Sequence, residues 1–127
     1  IFFTGDHEPP YNIYEPGDEA HGEYQGFVEE KLAAIHKAMQ GVDVLIADSS
    51  YTQAEYAAKR GWGHGTFDTS IQSALKVGAK VLFCTHHEPT RGDAALEAAF
   101  DAALLANPVG TSGLSVRLAR EGECFEF

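Results

Sequence analysis

The chain has 127 residues, 44% of them hydrophobic, and sets 9 basic side chains against 19 acidic ones for a formal charge of −10. That length and apolar content support one domain with a real core, while the negative field argues against a broad groove-type grip on nucleic acid. A small phosphate ester held through metal ions stays open, because a bound cation inverts the local charge.

No basic leader followed by an apolar run occurs, and no apolar run nears the roughly 20 residues that span a bilayer, so a cytoplasmic protein without a membrane partner is expected. Two cysteines make no disulfide framework. Cys84 and Cys124 both lie in strand-like runs and are expected as reduced, buried thiols.

Ile1 to Thr4 predicts a short buried strand ended by Gly5-Asp6-His7-Glu8-Pro9-Pro10. A chain that opens on an apolar strand is expected to continue something upstream. Residues 11–26 hold Tyr, Pro, Gly and acids without a period and read as a long loop. From Phe27 to Gln40, Val28, Leu32, Ile35 and Met39 recur at helical spacing, and Gly41 follows as a C-cap. Val42 to Ala47 is a second buried strand that closes on Asp48-Ser49-Ser50.

Thr52 to Lys59 predicts a short helix, followed by the tight loop Gly61-Trp62-Gly63-His64-Gly65. Thr66 can cap a helix whose Phe67, Ile71, Ala74 and Leu75 share a face, with Gly78 ending it. Val81 to Thr85 is the third strand; it runs into His86-His87-Glu88 and must be over by Pro89, which cannot donate to a ladder. Asp93 can cap an Ala-rich helix to Ala106, stopped by Asn107-Pro108. Leu114–Leu118 and Cys124–Phe127 alternate around Glu121-Gly122 and predict a closing hairpin. Strands alternating with helices make the fold class α/β.

Each of the three central strands runs into acids or histidines: Asp6-His7-Glu8, Asp48, and His86-His87-Glu88, with His64 between the second and third. Strand ends converge in α/β proteins, and carboxylate with imidazole suits Zn, Mn or Fe. Blander readings stand beside these. Asp6 can also be read as a strand-end turn acid, Asp48 as an Asx turn with Ser50 or Tyr51, and Trp62 as a packing anchor. His21 and His36 carry no signal.

In order, Gly5-Asp6-His7-Glu8-Pro9, Asp48-Ser49-Ser50-Tyr51-Thr52, Gly61-Trp62-Gly63-His64-Gly65-Thr66 and Thr85-His86-His87-Glu88-Pro89 resemble the C-terminal half of a metallo-β-lactamase-fold hydrolase. The resemblance covers residues 1 to about 95 and is nearest to the phosphodiesterase branch: tRNase Z-like enzymes and the cyclic-nucleotide and phosphoribosyl cyclic phosphodiesterases. It implies a four-layer αββα sandwich of which residues 1–127 form one half, and two divalent metal ions, Zn first and Mn or Fe next. Asp6 resembles the carboxylate bridging the metals, and His86 the final histidine ligand. His64 resembles the histidine of the family's Gly-His-Ser-Thr segment, which contacts phosphate or donates a proton; here Gly65 replaces the small hydroxyl residue. Asp48 falls where tRNase Z-like members place an acid that orients that histidine. His7, Glu8 and His87 are expected as neighbours of the ligands or substrate, with Gly63 and Gly65 letting backbone approach a phosphate.

The family's His-x-His-x-Asp-His signature does not occur in this chain. The resemblance therefore implies a partner, the N-terminal half of the same fold, and hydrolysis of a small phosphodiester once the halves combine. Alternatives are an ester or lactone hydrolase of the same fold, or a non-catalytic half-domain that pairs with a partner. A chain alone with such apolar surface is expected to be poorly soluble or to form a homodimer.

Overall fold

A computed structural model describes residues 1–126. The elements in order are β1 (Phe2–Phe3), α1 (His21–Met39), β2 (Val44–Asp48), α2 (Gln53–Lys59), α3 (Phe67–Val77), β3 (Val81–Thr85), α4 (Asp93–Ala106) and β4 (Ser115–Leu118). The strands form one sheet in the order β1-β2-β3-β4, and every neighbouring pair is parallel. The described residues are thus α/β, with four parallel strands and four helices. Among the described residues no helix is long and apolar enough to cross a membrane.

Register explains the layering. Phe2, Leu45, Leu82 and Val116 stand side by side across the sheet, as do Ala47, Cys84 and Leu118 in the next row on that face. These rows pack against Ile35 and Met39 of α1, Phe67, Ile71, Ala74 and Val77 of α3, and Ala99 and Ala103 of α4. Sequential parallel strands joined by crossovers of one hand put their helices on one face. The other face carries Phe3, Ile46 and Phe83, and there Ile1 and Phe3 are 78% and 65% exposed. Parallel sheets ordinarily have both faces covered; on this face Val44 and Phe83 are buried, and it is the β1 end that lies uncovered.

α3 is the best specified helix. Thr66 and Thr69 form a reciprocal capping box, and Gly78 ends the helix in the left-handed region at φ 73°. Phe67 and Ile71 are fully buried, each worth roughly 1.5–3 kcal/mol.

Five expectations need correction. The first strand is short, Phe2–Phe3, and not buried, with Ile1 and Phe3 at the surface. α1 begins at His21, inside the stretch read as loop. Gly22 and Gly26 weaken any helical signal there, and what holds the first turn is contact with the preceding loop. The Asn12 amide donates to the His21 carbonyl and to Gln25 Oε1 (3.0 and 3.1 Å), and Tyr14 meets the Tyr24 ring edge-on. α4 has Gly92 at its N-cap, and Asp93 is its first residue, where a carboxylate suits the helix dipole.

The closing hairpin is also absent. β4 pairs parallel with β3, and Ala119 N–H donates to the Cys84 carbonyl (2.9 Å), extending that ladder. The chain then folds back over the helix-free face, where Phe125 packs on Phe83 with ring centroids 4.6 Å apart and Arg117 lies over Phe125. Residues 124–126 are in no strand, and Phe127, the last residue of the expected hairpin, lies outside the described residues.

This path exposes Cys124, contrary to the buried thiol expected, whereas Cys84 is buried. Burial pushes the Cys84 thiol up to about 12, so it holds almost no thiolate at neutral pH. In native buffer at pH 8, a chromogenic disulfide reagent should titrate one thiol per chain, and a second only after unfolding. Two rapid thiols would contradict this packing.

Candidate functional site

The parallel register sets three strand ends level. Phe3 stands opposite Ile46, and Asp48 opposite Thr85, so the residues that follow emerge along one sheet edge. Thr4 stitches the first two ends: its N–H donates to the Ile46 carbonyl (3.0 Å), and its Oγ1 accepts from Asp48 N–H (3.2 Å).

Asp48 is the pillar of this edge, with its side chain 1% exposed. Its Oδ2 accepts from His7 N–H (3.1 Å) and from His64 Nδ1 (2.7 Å). Its Oδ1 accepts from Ser50 N–H (3.2 Å) and from the Ser50 hydroxyl (2.8 Å). The Asx turn and the pairing with His64 therefore coexist, one on each oxygen. A buried carboxylate needs this satisfaction, since desolvation penalises any charge left unpaired. An ionised carboxylate only accepts, so His64 Nδ1 carries hydrogen and Nε2 is the nitrogen left for another partner.

The glycine loop is set by two devices. A Cβ at Gly65 would stand 2.7 Å from the Asp48 carbonyl oxygen and 3.2 Å from that of His7, so no side chain fits. The Gly65 carbonyl accepts from Tyr51 N–H (3.2 Å), and Phe67 N–H donates back to the Tyr51 carbonyl (3.2 Å). Glu8 clamps the other end. Its Oε1 accepts from the Tyr56 hydroxyl (2.7 Å) and Gly61 N–H (2.8 Å), and its Oε2 from Gly63 N–H (2.9 Å). Burial, followed by the hydrogen bond to Glu8, pushes the Tyr56 phenol up. Glu8 is thus a brace for the loop that carries His64, and the Gly63 N–H is committed to it.

His86 leaves β3 in the left-handed region at φ 56°, where no other non-glycine residue stands among those described. That conformation costs on the order of 1–3 kcal/mol. The Ser50 hydroxyl lies against the His86 carbonyl as well as 3.1 Å from its Nδ1. On the far side of the ring, Nε2 lies 3.2 Å from Asp6 Oδ1. The His64 and His86 rings stack at 4.5 Å, 20° from parallel.

Asp6, His64 and His86 each offer one ligand atom, all within 4.8 Å of one another. Exposure rises outward, with side-chain values of 1% for Asp48, 22% for His64, 46% for His86 and 69% for Asp6. Imidazole with carboxylate suits Zn, Mn or Fe, and Asp6 with His86 Nε2 forms such a pair, with His64 beside it. Both Nδ1 atoms have protein partners, as ligating histidines usually do, so the set fits such an ion. A cavity of about 330 Å³ lined by Phe3, Gly5, Asp6, Ile46, Thr85 and His86 joins this rim to the helix-free sheet face.

His87 does not join the cluster. Its ring stacks on Phe67, its Nε2 lies 3.4 Å from the Ala119 carbonyl, and its Nδ1 is buried without a partner among the described residues. Burial holds its pKa below the ordinary imidazole value. His7 contributes its main-chain N–H to Asp48. Trp62 is exposed, with the Lys59 ammonium 4.1 Å from its ring centroid.

Sequence reasoning missed Ser50 as a participant, the clamp role of Glu8, and Arg91, whose Nη1 donates to the Ser50 carbonyl (3.2 Å) while Nη2 pairs with Glu55. The Asp-x-Ser spacing could have flagged Ser50; nothing local flags Arg91. Compared with protein-family models, curated proteins and solved structures, the chain matches none.

Proposed function

We propose that this chain is the C-terminal half of a metallo-β-lactamase-type αββα fold and works as a metal-dependent phosphodiester hydrolase when joined by the other half. The observation that carries the reading is the convergence of Asp6, His64 and His86 at one sheet edge, with His64 held by a buried carboxylate. The layering agrees with it, since a sheet with helices on one face and exposed apolar residues, Ile1 and Phe3, at the β1 end of the other is compatible with half of such a sandwich. The partner would lay its own sheet on that face and supply the missing histidines.

Asp6 and His86 would hold the metal, Asp6 through its carboxylate and His86 through Nε2. Two divalent ions, Zn foremost, would supply Lewis acidity and a hydroxide at neutral pH. Asp48 keeps His64 in one tautomer by accepting its Nδ1 hydrogen. His64 then delivers a proton from Nε2 to the leaving oxygen. Glu8 and the close fit at Gly65 hold the loop so that His64 meets its target without reorganising. The charge of −10 favours a compact substrate gripped through the ions over a long polyanion.

The test is hydrolysis of bis(p-nitrophenyl) phosphate by the protein assembled with its other half. Turnover should vanish with a chelator and return with Zn²⁺ or Mn²⁺. A complex holding less than one ion per site, or turnover indifferent to chelation, would sink the proposal.

A further inference from the structure

We infer that Ser50 is the positioning residue that decides which nitrogen of His86 carries the proton; the inference rests on reading His86 as a metal ligand. The hydroxyl is buried and owns one proton, yet it has three polar neighbours besides its own backbone. They are Asp48 Oδ1 at 2.8 Å, the His86 carbonyl oxygen, and His86 Nδ1 at 3.1 Å. A carboxylate oxygen and a carbonyl oxygen can only accept. Whichever takes the hydroxyl proton, the hydroxyl must meet Nδ1 as an acceptor. If the proton pointed at Nδ1 instead, three oxygens would face one another with no hydrogen between them. Nδ1 therefore carries hydrogen, and in the neutral ring the Nε2 lone pair meets Asp6 Oδ1 at 3.2 Å, two acceptors with no hydrogen between them, a contact that a bound cation would relieve.

The same buried carboxylate then governs both rings. Asp48 Oδ2 takes the Nδ1 hydrogen of His64 directly, and Asp48 Oδ1 acts on His86 through the Ser50 hydroxyl. Both imidazoles are left with Nε2 as the working nitrogen. Without Ser50 the His86 proton has a better place on Nε2, where Asp6 Oδ1 waits at 3.2 Å, and a nitrogen carrying that proton cannot ligate.

Imidazole ¹⁵N shifts of the metal-free protein at pH 9, where an ordinary imidazole is neutral, read the tautomer directly. The wild-type His86 ring should be protonated on Nδ1, and S50A should move it toward Nε2. The S50A protein should also bind Zn²⁺ about 10–100-fold more weakly by calorimetry. A wild-type ring protonated on Nε2 overturns the inference, as does an S50A ring and affinity equal to wild type. If S50A does not fold, the wild-type spectrum alone decides. A ring protonated on Nδ1 in a protein without phosphodiesterase activity would defeat the hydrolase reading and leave this one standing; an active protein with the Nε2 tautomer would do the reverse.

Discussion

Replacing His64 by Ala should lower the turnover of a phosphodiester by about 10²–10⁴-fold, the range for a lost general acid, while KM changes little. The geometry gives the reason for the split. His64 leans on Asp48 through Nδ1 and is 22% exposed, so it can reach a leaving oxygen through Nε2 but supplies little surface to bind the ground state. An interaction made only in the transition state appears in kcat. The leaving group sharpens the test. A p-nitrophenolate departs without help, so its ester should lose least, and an alkyl ester should lose most. Equal losses in kcat and KM, or a loss indifferent to the leaving group, would remove the acid role.

The parts of the fold legible in the sequence are those whose signal is local. β2 and β3 are continuous apolar runs, and α3 has a capping threonine, a periodic face and a terminal glycine within thirteen residues. The parts that misled depend on contacts between distant segments. Leu114–Leu118 alternates as an edge strand of a hairpin would, yet it pairs with β3 because Ala119 continues that ladder and Phe125 has Phe83 to cover. The same folding back leaves Cys124 at the surface.

At the site, the residue types at the strand ends were visible, but their partners were not. Glu8 reads as one more acid in a charged turn until the loop 53 residues later presents its N–H groups. Ser50 reads as a turn residue until His86, 36 residues on, arrives in a left-handed conformation with its carbonyl against the hydroxyl. Gly65 reads as a spacer that would let a phosphate approach. In the structure the space it leaves is filled by the main chain of Asp48 and His7.

Asp48→Asn should be the most damaging conservative change, because it strikes stability and catalysis together. The carboxylate accepts on both oxygens from main-chain N–H groups, His7 on Oδ2 and Ser50 on Oδ1. An amide offers one oxygen and one NH₂, so either orientation sets a donor against a buried donor. One such unsatisfied group costs about 1–3 kcal/mol, and urea unfolding should show a loss of that size. His64→Ala takes one partner from Asp48 Oδ2, which keeps the His7 N–H, and should cost no more than about 1–3 kcal/mol. With the NH₂ in the place of Oδ2, turnover of the Asn variant should fall at least ~10²-fold, because either the amide pushes the His64 ring away or the ring accepts from it and gives up the Nδ1 proton. Each of those outcomes undoes the orientation on which proton delivery depends. An Asp48→Asn protein as stable as wild type would show that the carboxylate is not the pillar of the edge. If stability falls and turnover does not, although imidazole ¹⁵N shifts show the His64 Nδ1 proton lost or the ring turned, the acid role of His64 fails while the architecture around it stands.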